Sequence, residues 1–265
     1  MFLNWLHTLT DLQIGFLFGG GGLLFAVVLP LVVRIKYKLT VPDELSTGAL
    51  DAYKILCGLT IALCVFSLVR VQSSHLNTED LVAREAQAIS KLNRDLKSMA
   101  TNEAEAFRDD LNTYANLIVQ DEWPAMVKRE RSEKVSELSA EMTQGLRAIK
   151  VNTYSQQVAR AEILATFKQM VDLRDARLAD FKKSLPGYLW VALSCLITML
   201  IISGWFEKRT FFTIAFTSGT ILGIAVLLTL LVALDGVLAG ENKITPQPII
   251  DILPQLIADN PSLVK

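Results

Sequence analysis

The chain has 265 residues, 51% of them apolar and 20% charged, and its 26 basic and 27 acidic side chains leave a net charge of -1. The charge is unevenly spread: the 114 residues from Arg70 to Lys183 hold 36 of the 53 charged side chains, 18 of each sign, so the flanks are almost uncharged. Flanks this apolar exclude an ordinary soluble enzyme, the neutral balance offers no footprint for nucleic acid, and three cysteines inside apolar runs give neither a disulfide framework nor zinc spacing.

Residues Met1 to Asp11 carry no Lys or Arg and the apolar run after them is not followed by a well-placed small-residue cleavage site, so a signal peptide is not expected. Phe2, Trp5, Leu6 and Leu9 suit a short segment at the membrane interface. Uncharged windows then run from Leu12 to Val33, Ile55 to Val69, Ser184 to Phe206 and Thr210 to Leu234. A bilayer core asks for roughly 20 apolar residues in a helix, which three windows supply. The second is shorter, and Lys54 and Arg70 at its ends can snorkel to the headgroups. The first hairpin loop carries Arg34, Lys36, Lys38 and Lys54, the second Lys208 and Arg209, whereas the termini offer Lys243 and Lys265. Six against two places both hairpins in the cytoplasm and puts the termini and the long insert outside a cell (inner) membrane.

The insert reads as helix throughout. Val82, Glu85, Ile89, Leu92, Leu96 and Met99 step by three and four, and the seam resumes at Phe107, Leu111, Tyr114 and Ile118. Asp121 and Glu122 before Trp123-Pro124 predict a fresh helix start. A second helix turns Val135, Leu138, Met142 and Ile149 inward. A third keeps heptad spacing through Leu164, Phe167, Val171, Arg174, Leu178, Phe181 and Leu185. After Pro246 and Pro248, the apolar segment from Ile249 to Ile257 must pack on the bundle, a neighbouring subunit or the interface.

The expected fold is therefore an all-α integral membrane protein. Residues 1–71 hold the interfacial segment and spans one and two, 72–185 a long antiparallel helical stalk domain outside the membrane, 186–240 spans three and four, and 241–265 a Pro-rich C-terminal segment with an apolar helix.

Three segments carry a resemblance: Tyr114-Ala-Asn-Leu-Ile-Val-Gln-Asp-Glu-Trp-Pro-Ala-Met126; Leu173-Arg-Asp-Ala-Arg-Leu178 running into Leu185-Pro-Gly-Tyr-Leu-Trp190; and Leu234-Asp-Gly-Val-Leu-Ala-Gly240 followed by Pro246 and Pro248. Together they resemble the bestrophin-like family of four-span membrane proteins with a helical insert between spans two and three. Where that family usually has Asp-x-Pro-Phe-x-Gly, this chain has Asp235-Gly-Val-Leu-Ala-Gly240. The resemblance implies a bestrophin-type oligomeric channel for anions or small solutes, by analogy of fold. Bestrophins keep their termini and insert in the cytoplasm, opposite to the orientation the loop charges give here.

No ionisable residue lies at mid-bilayer depth, which argues against a proton-coupled transporter. His7 and His75, both read as interfacial, form no catalytic grouping, and neither enzymatic chemistry nor a cofactor or metal is expected. Gly15 and Gly19, continuing through Gly22 to Ala26, and Ala215, Gly219 and Gly223 repeat small residues on one helix face. Packing within the subunit is the first reading of these; a seam between subunits of a homo-oligomer, or a hinge at Gly19 to Gly22, is the other. Cys57 and Cys64 are expected to be inert. Asp235, before Gly236 and Gly240, either caps the turn where the chain re-enters water or sets a charge at a pore mouth, and the cap is preferred. Glu122, Trp123 and Pro124 are read as a helix start with a buried stalk anchor. Glu85 and Arg174, the polar members of two apolar seams, stand about 22 and 18 Å above the expected span ends at 1.5 Å per residue, and are expected to pair and fix register. The competing function is a membrane-anchored sensor or scaffold whose stalk domain binds a protein partner.

Overall fold

A computed structural model describes residues 9–38, 40–99, 101–128, 130–149, 153–181, 185–235 and 243–258. Helix α1, Asp11–Tyr37, opens on a reciprocal cap: the Thr10 hydroxyl accepts from Gln13 N, and the Gln13 side chain accepts from Thr10 N at 3.0 Å. Midway it widens into a π-helical turn, Leu24–Val28, immediately before Pro30. Proline has no N–H to donate and its ring crowds the carbonyl four residues back, and a wider turn relieves both conflicts. The helix closes on Lys38, in the left-handed region at φ 49°.

Helix α2 runs unbroken from Asp43 to Met99, 57 residues or about 86 Å at 1.5 Å per residue. It begins well before the expected window at Ile55, because the polar stretch from Asp43 to Lys54 is helical too. Arg34, Lys36 and Lys54, expected in a loop, therefore stand on helices. Helices α7, Gly187–Trp205, and α8, Phe211–Asp235, complete a set of four helices, among the described residues, long and apolar enough to cross a membrane.

The chain divides into two compact units, 1–73 with 184–243, and 74–183 with 244–265. The first has a core of Tyr53, Cys64, Leu193, Leu200, Ile221 and Leu231, while Phe16, Phe66, Val191, Phe211 and Phe212 are turned outward. Side chains of that kind on the outside suit lipid rather than water. Several hydroxyls in these helices bond back within their own helix, Thr60 to Leu56 O, Ser194 to Trp190 O, Thr217 to Thr213 O and Thr229 to Ala225 O, and so ask for no partner in hydrocarbon, whereas Ser67 Oγ is buried without a partner among the described residues.

The second unit combines the rest of α2 with α3 (Asn102–Leu117), α4 (Trp123–Val127), α5 (Glu133–Ala148), α6 (Tyr154–Asp180) and α9 (Gln247–Ala258). Thr101, Ser132 and Thr153 cap α3, α5 and α6, each hydroxyl accepting the backbone N–H three residues on. The seam from Val82 through Glu85 to Met99 is buried, as are Phe107, Leu111, Tyr114 and Ile118. On α5 the inward residues are Val135, Ser139, Met142 and Leu146, with Leu138 half-buried and Ile149 buried just past its end; on α6 the buried face also takes in Ile163, Met170, Leu173 and Arg177. An α-helical segment does begin at Trp123 with Pro124 in its first turn, but the chain enters it without leaving helical geometry. A second π-helical turn, Ile118–Glu122, joins α3 to α4, so Pro124 sits just past a widened turn as Pro30 does. Helix α9 packs on α3 with Ile249 and Leu256 buried.

Candidate functional site

The insert's most concentrated chemistry is a buried quartet of two carboxylates and two guanidiniums. Arg174 and Arg177 are three apart on α6 and so share a face. Arg177, fully buried, donates from Nε to Glu85 Oε2 at 2.5 Å, from Nη2 to Glu85 Oε1 at 3.1 Å and to Glu122 Oε2 at 2.9 Å, and from Nη1 to Met126 Sδ at 2.7 Å. Its guanidinium carbon lies 5.3 Å from the centre of the Trp123 ring. Arg174 donates from Nε to Glu122 Oε1 at 2.9 Å and from Nη2 to Glu122 Oε1 at 2.5 Å and Ser136 Oγ at 3.1 Å. Glu122 thus bridges both arginines, and five elements meet: α2, the π-helical turn, α4, α5 and α6.

The formal charges cancel, which is the condition for burying so many. Burial works against the charge of Arg177, yet Glu85 and Glu122 outweigh it and hold the guanidinium above its ordinary range. Beside them the Tyr114 hydroxyl is buried without a hydrogen-bond partner among the described residues; burial first, then the Glu85 carboxylate, push its pKa well above the ordinary value.

The pair expected between Glu85 and Arg174 is corrected. Glu85 takes Arg177, one turn along α6, and Arg174 takes Glu122. The heptad seam admits one polar residue per turn and so selected Arg174, but α6 buries a face wide enough for both arginines. Glu122, Trp123 and Pro124 stand at the start of α4, entered directly from the π-helical turn, and also form one side of this network, with Trp123 over Arg177. Two of the segments that carry the sequence resemblance, Glu-Trp-Pro and Leu-Arg-Asp-Ala-Arg-Leu, are the ones that meet here.

The third segment makes a separate tie. Asp235 Oδ1 accepts the Leu185 N–H at 2.6 Å, just ahead of the Pro186-Gly187 start of α7. Asp235 thus caps the approach to α7 in addition to ending α8. Gly240 lies outside the described residues.

The small-residue faces divide. A Cβ at Gly15 would meet Thr229 Oγ1 at 3.6 Å, one at Gly19 would meet Leu222 at 3.4 Å, and one at Gly22 would lie 2.6 Å from Ile221 Cγ2. Glycines of α1 therefore let α8 approach closely. Among the described residues no neighbouring atom lies within 4 Å of such a Cβ at Gly219 or Gly223, which line an open apolar groove of about 520 Å³ with Cys57, Ile61, Phe216 and Leu227.

A second cluster of charge lies where α1 and α7 end and α8 begins, and from sequence it reads as loop charge alone. Pro30 leaves the carbonyls of Ala26 and Phe25, four and five residues back, without a helical donor. Arg209 Nη2 donates to Ala26 O at 2.7 Å and Gly204 O at 2.9 Å, and Trp205 Nε1 donates to Phe25 O at 2.9 Å. Arg34 donates to Glu207 O at 2.6 Å and to Trp205 O. A proline inside an apolar span, with Trp and Arg in a facing loop, is the signal that could have found this.

Among the described residues no group of three or more His, Cys, Asp or Glu side chains is placed to hold a metal ion. The bestrophin-like domain family matches residues 16–249, nearly the whole described chain. No curated protein and no solved structure matches it.

Proposed function

The chain belongs to the bestrophin-like family, and from that premise we propose that it forms a homo-oligomeric membrane channel for anions or small solutes. It is a multi-pass membrane protein by its four long apolar helices. The observation that carries the oligomer is the groove beside Gly219 and Gly223. Small residues in membrane helices serve close packing, because lipid offers no hydrophobic drive between helices, and among the described residues nothing fills this face. The transport path in this reading is lined by uncharged Ser, Thr, Gly and apolar side chains, without enzymatic chemistry.

Six Lys and Arg near the hairpins against two near the termini orient the hairpins to the cytoplasm and the insert outward. A cytoplasmic reporter fused after Lys265 is expected to be silent, and an active one reverses the orientation. Planar-bilayer recording of the purified protein tests conduction: unitary selective currents are expected. A tight, silent bilayer instead favours the second reading, a membrane-anchored sensor whose insert binds a protein partner. That reading draws on the insert's own buried core and on a groove of about 340 Å³ between α2 and α9, lined by Gln87, Ser90, Arg94, Pro248 and Ile252. Oligomerisation is read separately by light scattering, with G219L/G223L expected to lower the oligomer fraction and a monomeric wild type defeating the proposal.

A further inference from the structure

Glu207 is 1% exposed, yet its carboxylate has almost no stabilising contact. Oε1 has no partner among the described residues, and Oε2 has Thr217 Oγ1 at 3.5 Å, a hydroxyl already committed to Thr213 O at 2.7 Å. Cations surround it: Arg34 from α1, Lys54 from α2 and Arg209 from its own loop all act on its charge, and the Tyr53 hydroxyl of α2 and Thr217 of α8 complete its surroundings. Neighbouring Lys208 is taken by Asp43. None of the three cations forms an ion pair with Glu207 among the described residues. Arg34 and Arg209 spend their donors on backbone carbonyls, while Arg209 Nε and Nη1 are buried and unused.

A buried, ionised carboxylate near unused guanidinium donors is a costly arrangement, since Arg209, the cation that acts on it most strongly, could supply a charge-assisted pair. The same geometry is undemanding when the carboxyl is neutral. We propose that Glu207 is a proton-operated latch: protonated, it leaves Arg209 holding the kinked turn of α1 before Pro30, and on losing its proton it draws Arg209 off Ala26 O and frees that turn. The proton leaves to solvent at the membrane surface, and no other group changes charge.

Burial raises the Glu207 pKa, and Arg209, Thr217, Arg34 and Lys54 only partly offset it. The sign follows: the latched arrangement is fully favoured at low pH and is lost as pH rises through a folded-state pKa lying above the ordinary carboxylate range. The readout is conformational and does not depend on conduction.

Trp205 reports directly, because its Nε1 donates to Phe25 O in the same turn. The full chain in lipid nanodiscs, labelled with 5-fluorotryptophan and with the Trp205 resonance assigned through W205F, is titrated by fluorine NMR. The Trp205 resonance is expected to shift with a midpoint above the ordinary glutamate value, and in E207Q to stay at its low-pH position throughout. A flat wild-type titration, or one that persists in E207Q, overturns the proposal. R209M keeps the test decisive if E207Q does not fold: without the arginine the turn is never held, so the Trp205 resonance is expected to stay near its high-pH position at every pH, and a titration like that of the wild type overturns the proposal.

Discussion

Two places in this chain share one device and use it differently. At Pro30 in α1 and at Pro124 in the insert, a five-residue π-helical turn precedes a proline, and two arginines with at least one buried glutamate gather beside it. In the insert the arginines bind carboxylates. In the membrane unit they bind backbone carbonyls and leave the glutamate unpaired. The freed carbonyls explain the difference: those before Pro124 belong to half-buried Val119 and exposed Gln120, which water can serve, whereas those before Pro30 lie in a span where side chains must serve them. Where lipid replaces water, backbone demand is met before side-chain charges pair.

The comparison breaks most violently at Arg177. Replacing it by Ala strands Glu85 and half of Glu122 in the insert's core, and a buried pair broken on one side costs about 3–5 kcal/mol. Chemical denaturation followed by a probe in the insert is expected to show a loss of that size; a loss below about 1 kcal/mol would mean that the quartet is solvated in solution. Next comes G22A. A methyl 2.6 Å from Ile221 Cγ2 overpacks α1 against α8, at a cost of about 1–3 kcal/mol read by thermal unfolding in detergent, while G219A, which meets nothing, is expected to be neutral to stability in the dissociated subunit. The mildest is S136A, which removes one of the Arg174 contacts and leaves Glu122 in place, about 0.5–1.5 kcal/mol by the same denaturation curves. If S136A matches R177A, the quartet is not organised around Arg177.

The spans, the α2 and α3 seams and the presence of an acid and an arginine in the insert's core were legible because each depends on periodicity or on long uncharged runs. What escaped depends on backbone bookkeeping. Asp43 to Lys54 looked like loop because its residues are polar, though polar residues on a helix surface cost it little. Arg177 hid behind Arg174, since a seam counted in heptads records one residue per turn. Glu207 and Arg209 read as orientation signals, and only the carbonyls released by Pro30, visible once the turn is seen to widen, show why Arg209 points inward. The separate fates of the glycine faces, one closed by α8 and one open, could not follow from identical spacing.

The most direct test of the account is a double-mutant cycle on Pro30 and Arg209. R209M alone leaves Ala26 O without its donor and is expected to cost about 1–3 kcal/mol. In a P30A background the restored N–H can serve that carbonyl through the helix, so the same substitution is expected to cost markedly less, giving a coupling of about 1 kcal/mol or more in unfolding measured in detergent. Additive effects would contradict the claim that this arginine is held inside the membrane unit by what the proline leaves undone.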